Sequence, residues 1–365
     1  MEVTTLVSSI IGNVDRFPTT VAGHPLPLNQ PRRNESRTGQ PRPTATDGMA
    51  HFRRSWNLEE VSQTTLSLLA ESWAPGTRRA YGSAWRKWSD WCMGQSMDPI
   101  SASTEAVLQF LTLLFEAGKA FRTINLYRSA ISAGHMGLDG TPIGKHALIC
   151  RLLKGIRLTR PPQIRYSSFW DVNVMLRLIE SWPMNQELSL KQLSAKLLML
   201  FCLLSCKRVA DVRALDWHAR VFTPNGVSFN ISRRTKSSTK EVSYPALPDN
   251  PNLCPVLCLK EYEHRTASLR PGQIHPLFIS FKIPHLPVST ATLARWIKWL
   301  LSMAGIDTSI FSAHSVRGAM ASKASMLGYK LEDILRTADW SNESTFRNFY
   351  LRPVQHISNT VVAQL

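Results

Sequence analysis

The sequence predicts a mainly helical fold with one small β-sheet, in two parts: an all-helical domain, then an α+β domain. Three observations predict it. Apolar residues recur at helical spacing in a series of segments from Trp56 to Arg160. The stretch RLTRPPQIRY (157–166) then interrupts the run, because a proline pair cannot continue a helix and biases the preceding residue toward extended backbone. Beyond that break, GVSFNISRRTKSSTKEVSYPAL (226–247) alternates with period two on both sides of a polar cluster. That is the pattern of a β-hairpin.

The elements follow in order. Residues 1–54 are rich in Pro, Ser, Thr, Asn and Arg with almost no apolar period, so they are expected to be a disordered tail. Residues 55–158 form the helical domain. LEEVSQTTLSLLAESW is amphipathic, and TRRAYGSAWRKWSDWCMGQ follows with Tyr81, Trp85, Trp88 and Cys92 on one face. STEAVLQFLTLLFEAG is the third helix, with Ser103 as its cap. AFRTINLYRSAISAGHMG and GKHALICRLLKGIRLTR complete the set. Residues 159–166 are a basic linker. Residues 167–365 form the second domain, opening with WDVNVMLRLIESW and LSLKQLSAKLLMLFCLLSC, passing through the hairpin and returning to helical patterns from Cys254 onward.

Composition narrows the partners. Hydrophobic residues make up 44% and charged residues 19%, a globular balance. The formal net charge of +17 favours a polyanion, nucleic acid before an anionic membrane surface. Basic faces on the helical domain carry Arg78, Arg79, Lys87, Arg122 and Arg128 as candidate DNA contacts, or else a solvated surface. No apolar run approaches bilayer length, and the first residues carry no basic region of a secretory signal. The six cysteines lack metal-binding knuckle spacing, and the pairs Cys202/Cys206 and Cys254/Cys258 read as buried free thiols in a reducing compartment. Glycine-rich phosphate loops are absent, so neither a nucleotide cofactor nor a metal is expected.

One short stretch concentrates the chemistry. In FSAHSVRGAM (311–320), His314 and Arg317 lie one helical turn apart among Ser312, Ala313, Ser315, Gly318 and Ala319. Small residues there admit a close DNA backbone, tight helix packing, or both. Upstream, Arg208 follows the apolar helix in LLSCKRVADVRALDW; downstream, ADWSNESTFRNFYLRP carries Trp340 and Tyr350; between them the hairpin offers Lys236, with Lys240 as the alternative.

The ordered set Arg208, Lys236, His314, Arg317, Trp340, Tyr350 resembles the catalytic set of the tyrosine recombinases, or phage-type integrases. HSVRGAMASKASMLG and DWSNESTFRNFYLR are the most specific matches. TRRAYGSAWRKWSDWC and RTINLYRSAISAGH look like the SAM-like core-binding domain of DIRS-type retrotransposon and Crypton-like recombinases. Departures are visible. Bacterial relatives usually show Gly-x-Arg where this chain has Cys206-Lys207-Arg208; Asp211 stands where Glu is common, with a supporting role beside Arg208; Gly318 stands where many carry His.

The resemblance implies DNA strand cleavage and rejoining without metal, ATP or cofactor. It implies double-stranded DNA as substrate, a homodimer on one site and a tetramer at synapsis. It also implies a C-terminal segment that docks on a neighbouring protomer. The location would be the nucleus in a eukaryote, otherwise the cytoplasm with the DNA. The chemistry needs these residue types. Attack on a phosphodiester builds charge on the non-bridging oxygens, and guanidinium forks match that charge in a bidentate way. Arg208 and Arg317 fit that role, with His314 as a third donor. Tyr350 is the nucleophile in this reading, Lys236 protonates the leaving 5′-oxygen, and Trp340 packs by the phosphate. Three alternatives stay open: a DNA-binding protein that has lost turnover, a topoisomerase of the same chemistry, and a basic helical scaffold.

Overall fold

The computed structural model describes residues 61–138, 140–231, 241–270, 272 and 274–355. The expected tail (1–54), Lys236, Lys240 and residues 356–365 lie outside them. The chain divides into two compact units, separated in sequence between Gln163 and Ile164.

The first unit is helical: α1 (Gln63–Glu71), α2 (Pro75–Gly94), α3 (Thr104–Glu116), α4 (Phe121–Gly134) and α5 (Ala147–Thr159). Pro75 opens α2, where its missing N–H costs nothing. Ser103 Oγ caps α3 by accepting from Ala106 N. Trp85, Trp88 and Cys92 are buried along one face of α2. Trp88 stacks on Trp91 at 5.5 Å and meets Phe110 edge-on at 5.1 Å. Its indole Nε1 donates to Pro99 O at 3.0 Å, so the buried polar atom is satisfied.

The basic residues of this unit differ in their engagements. Arg128 donates from Nε and Nη2 to Asn125 Oδ1 and from Nη1 to Gly144 O. Arg78 pairs with Glu71 at 3.0 Å. Arg79, Lys87 and Arg122 are exposed.

The second unit carries β1 (Phe169–Trp170), α6 (Val172–Glu180), α7 (Leu190–Ser205), α8 (Val209–Arg213), β2 (Arg220–Thr223), β3 (Gly226–Asn230), β4 (Glu241–Pro245), α9 (Pro255–Thr266), α10 (Thr290–Met303), α11 (Ser315–Met326), α12 (Leu331–Ala338), α13 (Glu343–Phe349) and β5 (Val354–Gln355). Helix α7 is buried on every side from Leu193 to Ser205, as a helix without a polar face must be. Ser189 and Gln192 close its start with a capping box. The expected hairpin is present as β3 and β4, antiparallel, with Val227 opposite Tyr244 and Phe229 opposite Val242. It gains β2 on its outer edge, giving the order β2-β3-β4. Tyr244 stacks on Phe201 of α7 at 3.8 Å and joins the sheet to the core.

A second, parallel pair was not legible in the sequence. Strand β1 pairs with β5, Phe169 against Val354 and Trp170 against Gln355. The chain just after Tyr350 is thereby tied to the start of its own unit.

Four of the six cysteines are buried in this unit and Cys92 in the first, all as free thiols; Cys150 is exposed, so burial does not extend to every one. Burial pushes the thiols of Cys202 and Cys258 up to about 12. No helix among the described residues is long and apolar enough to cross a membrane.

Candidate active site

The site is assembled where α7 ends, where α11 begins and where α13 ends. Helix α7 stops at Cys206, whose backbone is left-handed with φ 48°. Glycine occupies that region without a Cβ penalty, which accounts physically for the Gly usual at this position in the resembling family. The turn does two things. It sends Arg208 out at the start of α8, and it aims the Cys206 carbonyl at Arg317, whose Nη1 donates to it at 2.9 Å.

Arg317 lies one turn into α11 and is only 2% exposed. Its Nε and Nη2 are buried with no hydrogen-bond partner among the described residues. Its Cζ sits 4.4 Å over the Trp340 ring and 5.7 Å from the centre of the Tyr350 ring. Trp340 packs on Tyr350 at 4.5 Å and on Phe346 at 5.4 Å. Its indole Nε1 is also buried without an acceptor among the described residues.

Tyr350 follows α13 and is half-buried. Its carbonyl accepts from Ser322 Oγ at 2.6 Å, and Ser322 Oγ also accepts from Arg352 N. The phenol oxygen is 2.9 Å from His314 Nε2. His314 precedes α11 and is held below the ordinary imidazole value of 6.5, first by desolvation, then by the charges of Arg317, Arg165 and Arg208. A neutral imidazole can accept the phenol proton at Nε2. Arg317 is likewise lowered from its ordinary range by burial and by Arg208, against the opposing influence of Tyr350, Cys206 and Asp211.

Asp211 supports Arg208. Its Oδ2 accepts from Arg208 N at 3.3 Å and lies 3.7 Å from Arg208 Nη1, too long for a hydrogen bond. Arg208 Nη1 therefore has no hydrogen-bond partner among the described residues.

Five of the six sequence-selected groups are thus brought together: Arg208, His314, Arg317, Trp340 and Tyr350. The sixth, Lys236, lies between β3 and β4 in sequence but outside the described residues. Two of the small residues around His314 are used in packing. A Cβ on Gly318 would fall 2.1 Å from Phe169 Cζ. Ser315 is wholly buried, and its Oγ accepts from Trp170 Nε1 at 2.9 Å. Gly318 and Ser315 thus serve close packing within the unit. Sequence reasoning missed the Cys206 carbonyl and Ser322, though the Gly-to-Cys departure beside Arg208 marked the first. Metal-binding clusters of His, Cys, Asp and Glu do not occur among the described residues.

No family model matches the chain. An integrase/recombinase xerD homolog of Selenomonas ruminantium is 24% identical over 300 residues, covering 80% of this chain and 86% of that protein. The XerH site-specific recombinase, solved on a palindromic difH substrate as a post-cleavage complex, has a TM-score of 0.55 at 14% identity, over 81% of this chain and 80% of that one. The Tn1549 transposon integrase, solved with transposon right-end DNA, has a TM-score of 0.51 at 13% identity, over 85% and 95%. The fold is that of the tyrosine recombinases. The chain is thus similar in sequence to one Xer-type protein and shares the fold of these solved recombinases.

Proposed function

We propose that the protein is a site-specific DNA recombinase or integrase that cuts and rejoins strands through a covalent 3′-phosphotyrosine. The observation that carries this reading is the contact between His314 Nε2 and Tyr350 Oη at 2.9 Å, beside a buried Arg317 with two unpartnered nitrogens. Those nitrogens, Trp340 Nε1 and Arg208 Nη1 are buried donors left for an acceptor, and an unmade buried donor is costly unless something binds it. A phosphate, with its charged oxygens, is the kind of acceptor that such donors take.

In this reading the phosphodiester sits between Arg208 and Arg317. The Tyr350 oxygen attacks phosphorus while His314 takes its proton. The bond to the 5′-oxygen breaks, and Lys236 or Lys240 supplies the proton that makes it a hydroxyl. The phosphotyrosine keeps the ester linkage, so a second 5′-hydroxyl reverses the step on a new strand. The guanidiniums stabilise the pentavalent charge throughout.

Residues 55–158 would act as the core-binding domain, 159–166 as the linker and 167–365 as the catalytic domain. Exposed Arg79, Lys87 and Arg122 and the net charge of +17 support DNA contact by the first unit. Arg78 and Arg128 would join them while bracing that unit. A homodimer on one site and a tetramer at synapsis, a mobile-element origin of DIRS or Crypton character, and a nuclear location in a eukaryote complete the proposal.

The test is a duplex nicked near its cleavage site, so that the short 5′-hydroxyl product diffuses away. The full chain is expected to form an SDS-resistant adduct, and Tyr350→Phe none, with duplex affinity held within about twofold. Duplex binding without an adduct, on sites chosen by selection of bound DNA, would leave a silent DNA-binding protein instead.

A further inference from the structure

The end of the proline-rich stretch reaches the site. Tyr166 is buried, stacked on Phe311 at 5.8 Å and tilted against Phe169 at 5.4 Å. Its hydroxyl bonds Ser312 Oγ at 2.8 Å, and its carbonyl accepts from Arg352 Nε at 3.2 Å. Ser312 lies two residues before His314, and Arg352 two residues after Tyr350. Tyr166 therefore pins this stretch between the segments that carry the proton acceptor and the phenol.

Arg165 is exposed at that pinned point. Its Nη2 donates to Ser312 Oγ at 3.2 Å, and its Cζ lies 5.3 Å from the centre of the Tyr166 ring. Among the described residues it has no ion pair and no other hydrogen bond, so most of its five N–H donors are open. Its charge stands with those of Arg317 and Arg208 in acting on His314. Bracing Ser312 is not a sufficient reason for a cation here, because the Tyr166 hydroxyl already bonds the same oxygen.

We propose that Arg165 is a third phosphate-binding arginine of the site, holding the backbone phosphate next to the one that Tyr350 attacks. The inference rests on the recombinase reading above. In the recombinase reading the central phosphate is taken by Arg317, which is buried and bonded to the Cys206 carbonyl, and by Arg208, whose Nη1 is unmatched among the described residues. Arg165 is exposed and bonded to Ser312, two residues before His314, within reach of a phosphate neighbouring the central one. The sequence hid this role because Arg165 is one of several arginines in a linker and belongs to no spaced motif.

The experiment compares the full-length wild type, Arg165→Ala and Arg165→Lys on duplexes carrying a neutral methylphosphonate at one flanking position at a time. Both duplex binding against salt and single-turnover cleavage of the nicked substrate are measured. Arg165→Ala is expected to lose about tenfold in affinity or cleavage rate and to flatten the log–log salt slope by about 0.9. One flanking methylphosphonate should cost the wild type that same factor and the alanine variant nothing more. Arg165→Lys should keep the salt slope and recover part of the loss. An unchanged salt slope, or equal penalties in wild type and variant at every flanking position, overturns the proposal. Binding is read without cleavage, so absence of any adduct would sink the recombinase reading while Arg165 is still judged by the slope.

Discussion

Two tryptophans and two arginines show how the two units differ. Trp88 and Trp340 are both buried, yet Trp88 Nε1 donates to Pro99 O while Trp340 Nε1 has no acceptor among the described residues. Arg128 uses Nε, Nη1 and Nη2 inside its own unit; Arg317 is more deeply buried and leaves Nε and Nη2 unmatched. Buried polar atoms in a packed core are nearly always satisfied. Both units hold other exceptions among the described residues, such as His146 Nδ1 in the first and Lys196 Nζ in the second, but around Tyr350 and His314 the unmatched atoms are all donors: Arg208 Nη1, Arg317 Nε and Nη2, and Trp340 Nε1. Under the proposed function, the unmatched donors beside the Tyr350–His314 pair are where the phosphate would bind.

The sharpest way to break this comparison is to exchange the arginines for alanine. Arg317→Ala should slow single-turnover cleavage by about a hundredfold to a thousandfold, the usual consequence of losing one donor to developing charge. Its stability should fall less, because loss of the bond to the Cys206 carbonyl is offset by removal of a buried charge with two unmatched nitrogens. Arg128→Ala should do the reverse, lowering unfolding stability by about 1–3 kcal/mol and leaving the adduct rate of the folded fraction unchanged. Denaturant unfolding beside a cleavage time course separates the two. Equal loss of stability in both variants would show that Arg317 is only structural.

The tryptophans offer a smaller contrast. Trp88→Phe removes a satisfied N–H and part of the aromatic core, with an expected cost of about 1–3 kcal/mol in the first unit. Trp340→Phe keeps a ring over Arg317 and removes an unpaired N–H, so its unfolding midpoint should stay near that of the wild type. Cleavage should still slow, by about tenfold. A wild-type cleavage rate in Trp340→Phe would assign that indole to packing alone.

The finest test is pH. His314 acts as a proton acceptor only when neutral, and its pKa is lowered from 6.5 by desolvation and by three arginines. Activity should therefore hold as pH falls through 6.5 and be lost only below it, as the imidazole gains its proton. Removing the charge of Arg165 raises the His314 pKa, so the acid limb of Arg165→Ala should shift to higher pH. A limb above 6.5 in the wild type would exclude His314 as the neutral acceptor.

Much of the fold was legible in residues alone. The aromatic face of α2 and the uniformly apolar α7 announced buried helices, and the period-two alternation around 226–247 announced β3 and β4. Strand β2 was not read, because Arg220, Val221, Phe222 and Thr223 are half-buried or exposed and carry no inward-facing alternation. Strands β1 and β5 were not read either. Each is two residues long, and their parallel pairing joins positions from opposite ends of the unit. Within the site, Arg208, His314, Arg317, Trp340 and Tyr350 were legible through order and spacing. Arg165, Tyr166 and the Cys206 carbonyl were not, since a backbone carbonyl has no letter of its own and a linker arginine looks like any other surface charge.

What the sequence determined by itself was composition of the site and periodicity of the elements: which helices must be buried, where the chain must break, and which side chains could stabilise an anionic transition state. Periodicity is a local property, set by 3.6 residues per helical turn and two per strand, so it survives in the linear chain. The tertiary structure decided which polar atoms remain unsatisfied, which cation lowers His314, and that Gly318 is small because Phe169 lies against it. Those are consequences of contacts between distant residues, and solvation, field and close approach exist only once packing has brought them together.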